Sequence, residues 1–178
     1  RGKTVFEHYE GAMDRESGRP VDENTLFRMF SNTKNVTVVA ALILYERGKF
    51  LLNDPLFKYL PCFTHMTYYD FDGSNSALVR PATRSILIKD LFTMCSGLTY
   101  GGTVTQTHLD AEIVAADHTL TTREFAEKLS KIPLAFEPGT HWNYGYSHDV
   151  LGALIEVLSG KRFGEFLQDE IFKPLGMN

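Results

Sequence analysis

Apolar positions recur at helical spacing over two long stretches of the chain. In residues 31 to about 47, Val36, Val39, Ala40, Ile43 and Leu44 fall on one face. Ser31 suits the start of that helix, and Gly48 suits the position just past its end. The second stretch opens at Ser147 or His148, carries Val150, Leu151, Leu154, Ile155 and Leu158, and stops at Gly160. Thr121 or Thr122 caps a predicted helix running to about residue 131, which Pro133 ends. A last helix is predicted over roughly 163–172. Asn53-Asp54-Pro55 signals another start, leading into 56–60, and 86–93 is a further apolar segment.

Strand signals are fewer. Residues 3–9 are rich in Val, Phe and Tyr and are bounded by Gly2 and Gly11, which predicts a strand. A turn cluster over 14–20 contains Ser17-Gly18, and 25–30 is a second apolar stretch, so the two flanking segments are expected to pair antiparallel. Residues 66–84 are polar and bear Gly, Ser and Asn, the pattern of a long surface loop. Gly101-Gly102 reads as a turn. Helices therefore outnumber strands, and the strands are expected at the start of the chain.

Composition narrows the class. The chain has 178 residues, 43% hydrophobic and 22% charged, which excludes disordered, collagen-like and coiled-coil proteins. A net charge of −4 argues against a nucleic-acid partner. No apolar run reaches the length of a membrane span, and no charged-then-apolar leader is visible. Cys62 and Cys95 are too few for a disulfide scaffold and lack the spacing of a zinc site, so both are expected as buried free thiols. Low cysteine content and the missing leader point to the cytoplasm ahead of periplasm or secretion. Both ends are abrupt: Arg1 leads straight into a strand-like pattern, and Asn178 follows a helix end. Residues 1–178 are expected to be part of a longer domain. The oligomeric state is not legible.

Several motifs compete for the chemistry. The six histidines form no HExxH or other close ligand pair, and His108, Asp110 and His118 read as solvated loop residues. No metal or organic cofactor is expected. Gly145-Tyr146-Ser147-His148-Asp149 resembles a G-x-S-x-G nucleophile elbow until its last residue, and Ser147 reads better as a helix cap. Ser31-Asn32-Thr33-Lys34 is the better candidate. Three residues apart at a helix start, Ser31 and Lys34 share a face, and the helix N-terminus favours negative charge developing there. A partly desolvated Lys loses preference for its charged form and can accept the Ser proton. Tyr144, between the Pro138-Gly139 turn and a buried helix, offers a phenol that ionises more easily beside an ammonium.

These residues carry a resemblance. The run from Thr25-Leu26-Phe27-Arg28-Met29-Phe30 through Ser31-Asn32-Thr33-Lys34, with its apolar helix and Gly48-Lys49-Phe50-Leu51-Leu52-Asn53-Asp54-Pro55, resembles the start of the serine β-lactamase and penicillin-recognising superfamily. Ile88-Lys89-Asp90-Leu91-Phe92-Thr93-Met94-Cys95-Ser96-Gly97-Leu98 looks like that family's second landmark, with Met94 where a His is common. Phe136-Glu137-Pro138-Gly139 through Tyr144, then Asp149-Val150-Leu151-Gly152, looks like its Tyr motif, and Pro174-Leu175-Gly176-Met177 also fits. The Trp142-x-Tyr144 context is most similar to the family VIII carboxylesterases, then to the class C β-lactamases.

The resemblance implies an α/β (α+β) sandwich of antiparallel sheet and helices, of which this chain holds the first strands and most of the helical region. It implies Ser31 as nucleophile, Lys34 as activating partner and Tyr144 as proton shuttle, with Trp142 and Tyr146 at the substrate. Tyr146 stands where those lactamases carry an Asn that helps hold a β-lactam amide. The third motif, a Lys-Thr-Gly or His-x-Gly strand, is not within residues 1–178. The implied activity is a serine hydrolase forming an acyl-enzyme, a carboxylesterase on small esters. The alternatives are β-lactam or D-alanyl-peptide hydrolysis, and a non-catalytic binding or scaffold module.

Overall fold

In the computed structural model, described here over residues 2–71, 77–100 and 105–177, the chain falls into two units, Arg1–Asn32 and Thr33–Asn178. In the first unit the turn cluster forms as its composition dictates. The Asp14 carboxylate accepts the Glu16 N–H at 3.0 Å and the Ser17 hydroxyl at 2.7 Å, and Gly18 takes φ +68°. This turn joins β1 (Ala12–Asp14) to an antiparallel β2 (Arg19–Pro20). The expected strand over 3–9 and its partner over 25–30 do not form. Val5 is 95% exposed, no ladder engages these segments among the described residues, and the second segment makes turn bonds instead, Thr25 N–H to the Asp22 carbonyl and Asn32 N–H to that of Met29. The unit ends in a 3₁₀ turn, Phe30–Asn32.

The second unit is built around helix α5 (Ser147–Ser159), apolar on nearly every side. It buries Val150, Leu151, Ala153, Leu154 and Ile155 completely, as a helix surrounded by other elements must. Packed on it are α1 (Thr33–Glu46), α2 (Ile88–Phe92), α4 (Thr122–Leu129) and α6 (Phe163–Leu167). The buried stripe of α1 is Thr37, Ala40, Ala41 and Leu44, and the two alanines allow close approach. Val39, expected on that stripe, points outward. Thr121 caps α4 with Glu124 in a reciprocal capping box. Gly160 ends α5 at φ +71°. After α6, a π-helical turn (Gln168–Phe172) leads into α7 (Lys173–Leu175). Residues 56–60 hold only a 3₁₀ turn, Leu56–Lys58.

Three expectations are corrected in this unit. Residues 66–84 are not a loop but an antiparallel hairpin, β3 (Thr67–Phe71) with β4 (Ala77–Pro81), Tyr69 facing Val79. Leu134 adds a parallel bridge on the outer side, donating to the Thr67 carbonyl at 2.7 Å and accepting from Tyr69 at 2.9 Å. The stretch carrying His108 and Asp110 is helix α3 (Thr105–Ala115), whose Ala111, Val114 and Ala115 turn toward the core. His118 is exposed beyond its end. Both cysteines are free, but Cys62 is exposed and Cys95 half-buried; in the turn Pro61–Phe63 it is Phe63 that fills the core. The Gly101-Gly102 turn lies outside the described residues.

Candidate active site

Lys34, the second residue of α1, sends its side chain between two tyrosines. Its Nζ donates to the Tyr100 hydroxyl at 2.7 Å and lies 5.0 Å from the Tyr100 ring centroid and 4.9 Å from that of Tyr144. Tyr100 meets Tyr144 edge-on at 5.4 Å between centroids, and Tyr146 at 4.3 Å. On the far side of Tyr146, Phe125 of α4 closes the stack at 5.5 Å. The Tyr100 hydroxyl in turn donates, over a long 3.5 Å, to Asp149 Oδ2 on the first turn of α5.

Two backbone segments hold this cluster. Tyr146 N–H donates to the Leu98 carbonyl at 3.2 Å, and Asn143 N–H donates to the Met94 carbonyl at 3.0 Å. The Asn143 side-chain amide reaches Thr99 Oγ1 at 2.9 Å. Met94, a non-glycine residue at φ +58°, holds a strained backbone so that its carbonyl faces Asn143. Gly145 sits where the segments press together: a Cβ there would stand 2.1 Å from the Leu98 carbonyl oxygen.

The turn before Tyr144 is tied down separately. One Glu137 carboxylate oxygen accepts the N–H groups of Thr83 at 2.8 Å and Arg84 at 3.0 Å. The Arg84 guanidinium donates to the Pro138 carbonyl at 2.7 Å and to both oxygens of the buried Asp90 carboxylate at 2.8 Å. Gly139 N–H reaches the Cys95 carbonyl at 2.7 Å.

The electrostatics differ from the expectation for the lysine. Burial pulls the Lys34 ammonium down, but its contact with Tyr100, helped by Tyr144 and the Asp149 charge, outweighs burial and leaves its pKa above the ordinary lysine value. Lys34 is therefore a held cation rather than a neutral amine. Burial pushes the Tyr100 phenol up, pushes Tyr146 up to about 12, and raises the Asp149 carboxyl. Burial also lowers the His148 imidazole.

The structure thus brings Lys34 and Tyr144 together. Ser31 is the middle residue of the turn Phe30–Asn32, the last element of the first unit, three residues before Lys34 in sequence. Phe30 beside it takes φ +46°, rare for a bulky residue. Trp142 is 66% exposed. Tyr146 is buried and presents its ring to Tyr100 and Phe125, so it lies beneath the tyrosine pair rather than on an open surface. Ser147 is the first residue of α5, not its cap; it is wholly buried, its hydroxyl 2.8 Å from that of Ser96, which closes it to any substrate. The sequence motifs assign no site role to Tyr100, nor to Asp149 beyond its place in the Tyr motif. The signal for Tyr100 was its place two residues after Ser96-Gly97-Leu98, and for Asp149 an acid at the start of an otherwise apolar helix. Among the described residues, no group of three or more His, Cys, Asp or Glu is placed to hold a metal ion, and no helix is long and apolar enough to cross a membrane.

Known proteins are similar to this chain in sequence and in fold. A family model described as Beta-lactamase matches residues 1–178. Esterase EstB of Burkholderia gladioli is 33% identical over 99% of this chain and 43% of its own length. Monacolin J acid methylbutanoyltransferase of Aspergillus terreus is 32% identical over 89% of this chain and 38% of its own. Among solved structures, EstCE1, a hydrolase with promiscuous acyltransferase activity, superimposes with a TM-score of 0.73 at 27% identity, over 93% of this chain and 42% of that one. The chain thus spans well under half the length of these relatives.

Proposed function

The chain belongs to the β-lactamase family, and we propose that it carries the nucleophile, lysine and tyrosine of a serine hydrolase that works through an acyl-enzyme on small carboxylic esters. The observation that carries this reading is Lys34 Nζ held against Tyr144 and Tyr100, on a helix that begins two residues after Ser31. Two aromatic rings and a carboxylate converging on one lysine favour a site that uses that lysine over a non-catalytic module.

Ser31 Oγ attacks the ester carbonyl and its proton passes to Tyr144. The Lys34 cation beside that ring favours the phenolate form needed to take it. The tetrahedral oxyanion develops near the N-terminal end of α1, where partial positive charge favours it. Tyr144 then returns the proton to the departing alkoxide, leaving Ser31 acylated. Water attacks the acyl-enzyme by the same proton path in reverse and releases the acid. Trp142, exposed two residues from Tyr144, contacts the substrate, and Tyr146 sets the tyrosine pair from beneath. The third motif, with its share of the oxyanion donors, is expected outside residues 1–178. Replacing water by an alcohol turns the same intermediate to acyl transfer, a second reading favoured by the acyltransferases among the relatives.

The test uses the full-length protein with p-nitrophenyl butyrate and a chromogenic cephalosporin. The expected result is a higher kcat/KM for the ester, because Tyr146 replaces the amide-holding Asn, and loss of turnover in S31A. A higher kcat/KM for the cephalosporin gives the site to β-lactam hydrolysis instead. Added alcohol that diverts product from acid to new ester establishes the transfer reading.

A further inference from the structure

We propose that Tyr100 and Asp149 form a second arm on Lys34, which positions its ammonium and fixes its charge for the reaction at Ser31. The inference rests on the serine-hydrolase reading and adds two positioning residues to it. A lysine side chain is a flexible four-carbon stem ending in a point charge, and contact with one tyrosine leaves it free to swing. Here Tyr144 lies against one side of Nζ and the Tyr100 hydroxyl accepts from it at 2.7 Å. The donors run in one direction: Lys34 donates to Tyr100, and Tyr100 donates to Asp149 at 3.5 Å.

Asp149 is the part that asks for a reason. A half-buried carboxylate is costly unless charge or hydrogen bonds compensate it, and the cation acting on it is Lys34, one hydroxyl away. Its other tie is to its own helix, whose N-terminus any acid would suit. That simpler role predicts a stability effect with no change in the titration of the site, so the two are separable. The groups facing Lys34 are Tyr100 from the segment before α3, Tyr144 and Tyr146 from the segment before α5, and His148 and Asp149 from α5 itself; Glu112 of α3 acts on Tyr146. Of these, Asp149 is the carboxylate acting on the lysine. Removing its charge makes the Lys34 ammonium and the neutral Tyr144 phenol easier to deprotonate, so both limbs of the pH profile move toward lower pH. Removing the Tyr100 hydroxyl acts in the same direction, because Lys34 loses its acceptor.

The experiment measures kcat and KM for p-nitrophenyl butyrate from pH 5 to 10 with full-length wild type, D149N, Y100F and the double variant, with S31A and K34A alongside. D149N is expected to lower kcat about ten- to a hundredfold, keep KM within about threefold, and shift the acid limb at least about half a pH unit downward. Y100F is expected to shift the limb the same way, and the double variant to be no worse than the poorer single one within about threefold, since both act on one arm. A loss of kcat with an unmoved pH profile, or losses that multiply in the double variant, overturns the proposal. If D149N does not fold, Y100F and its profile decide alone. Retained ester turnover in S31A or K34A refutes the hydrolase reading itself. Inactive S31A and K34A beside a wild-type-like D149N refute only the second arm.

Discussion

Gly145 offers a sharp test of how the tyrosine cluster is assembled. An alanine there would bring its Cβ to 2.1 Å from the Leu98 carbonyl oxygen and 2.5 Å from the Thr99 Cα, both backbone atoms that no rotamer change can clear. A tolerable C···O approach is about 3.3 Å, so the two segments must part by about 1.2 Å. The bond from Tyr146 N–H to Leu98, now 3.2 Å, then opens past hydrogen-bonding range. Overpacking costs about 1–3 kcal/mol and a lost hydrogen bond about 1 more, so G145A should lose roughly 2–4 kcal/mol of stability. The activity loss should be larger. Tyr100 moves with the Leu98 side and Tyr144 with the Gly145 side, so Lys34 can no longer hold both. A misplacement of about 1 Å costs on the order of 10²-fold in rate. Urea unfolding and ester turnover of the full-length variant read the two effects. A G145A enzyme within threefold of wild-type kcat and 1 kcal/mol of its stability would refute the claim that close approach at this glycine sets the site.

Three further outcomes follow from the same geometry. R84A strips the buried Asp90 carboxylate of its bidentate partner and releases the Pro138 carbonyl, so a stability loss of about 2–3 kcal/mol is expected on urea unfolding, with kcat falling as the Tyr144 turn loosens. Asp54 accepts from the Tyr59 hydroxyl, the Leu51 N–H and Lys58, which hold its pKa at about 2 against 3.8; a lowered carboxylate stabilises the fold above about pH 4 and loses that contribution as pH falls toward 2, so in acid titrations followed by circular dichroism D54N should show less of this loss than wild type. Residues 1–178 expressed alone should turn over ester at under a tenth of the full-length rate and associate on size-exclusion chromatography, because Phe6 at 84%, Leu26 at 90% and Phe27 at 71% exposure leave apolar surface uncovered.

What the sequence disclosed depended on whether the signal was local. α5 was legible because Val150, Leu151, Leu154 and Ile155 repeat on a helical period and Gly160 stops them. The hairpin of β3 and β4 was hidden because Gly73, Ser74 and Asn75, turn-formers between the strands, made the whole stretch look like loop; the pairing of Tyr69 with Val79 and the bridge to Leu134 are tertiary facts. α3 was hidden because its core-facing residues, Ala111, Val114 and Ala115, are small or modest, while the larger Leu109 and Ile113 are exposed and blur the helical period. At the site, Ser31, Lys34 and Tyr144 stood in recognisable motifs, and the contact of Lys34 with Tyr144 joins two of them. Tyr100 had no such context: it reaches Lys34 from 66 residues away, and only the packed fold reveals that distance closed. The surroundings of Lys34 were legible only in part for the same reason, since burial was foreseeable but the hydroxyl and carboxylate that offset it were not.

The loop bearing Tyr144 is fastened to its neighbours at both ends, and between them Thr140 bonds back to the Glu137 carbonyl while the His141 ring rests 5.4 Å from that of Phe136. Glu137, Pro138 and Gly139 are bound to Thr83, Arg84 and Cys95, while Asn143 and Tyr146 are bound to Met94 and Leu98. The three residues in the middle, Thr140, His141 and Trp142, are exposed and line, with Tyr68, Tyr69 and Phe136, a groove of about 650 Å³. Mutation can therefore explore Trp142, which is 66% exposed, while Thr140 and His141 keep bracing the turn before Tyr144. Substrate range and chemical competence are separable traits in such a loop. On the serine-hydrolase reading, a lineage could retune what meets the site by rewriting the Trp142 codon, without passing through an inactive ancestor.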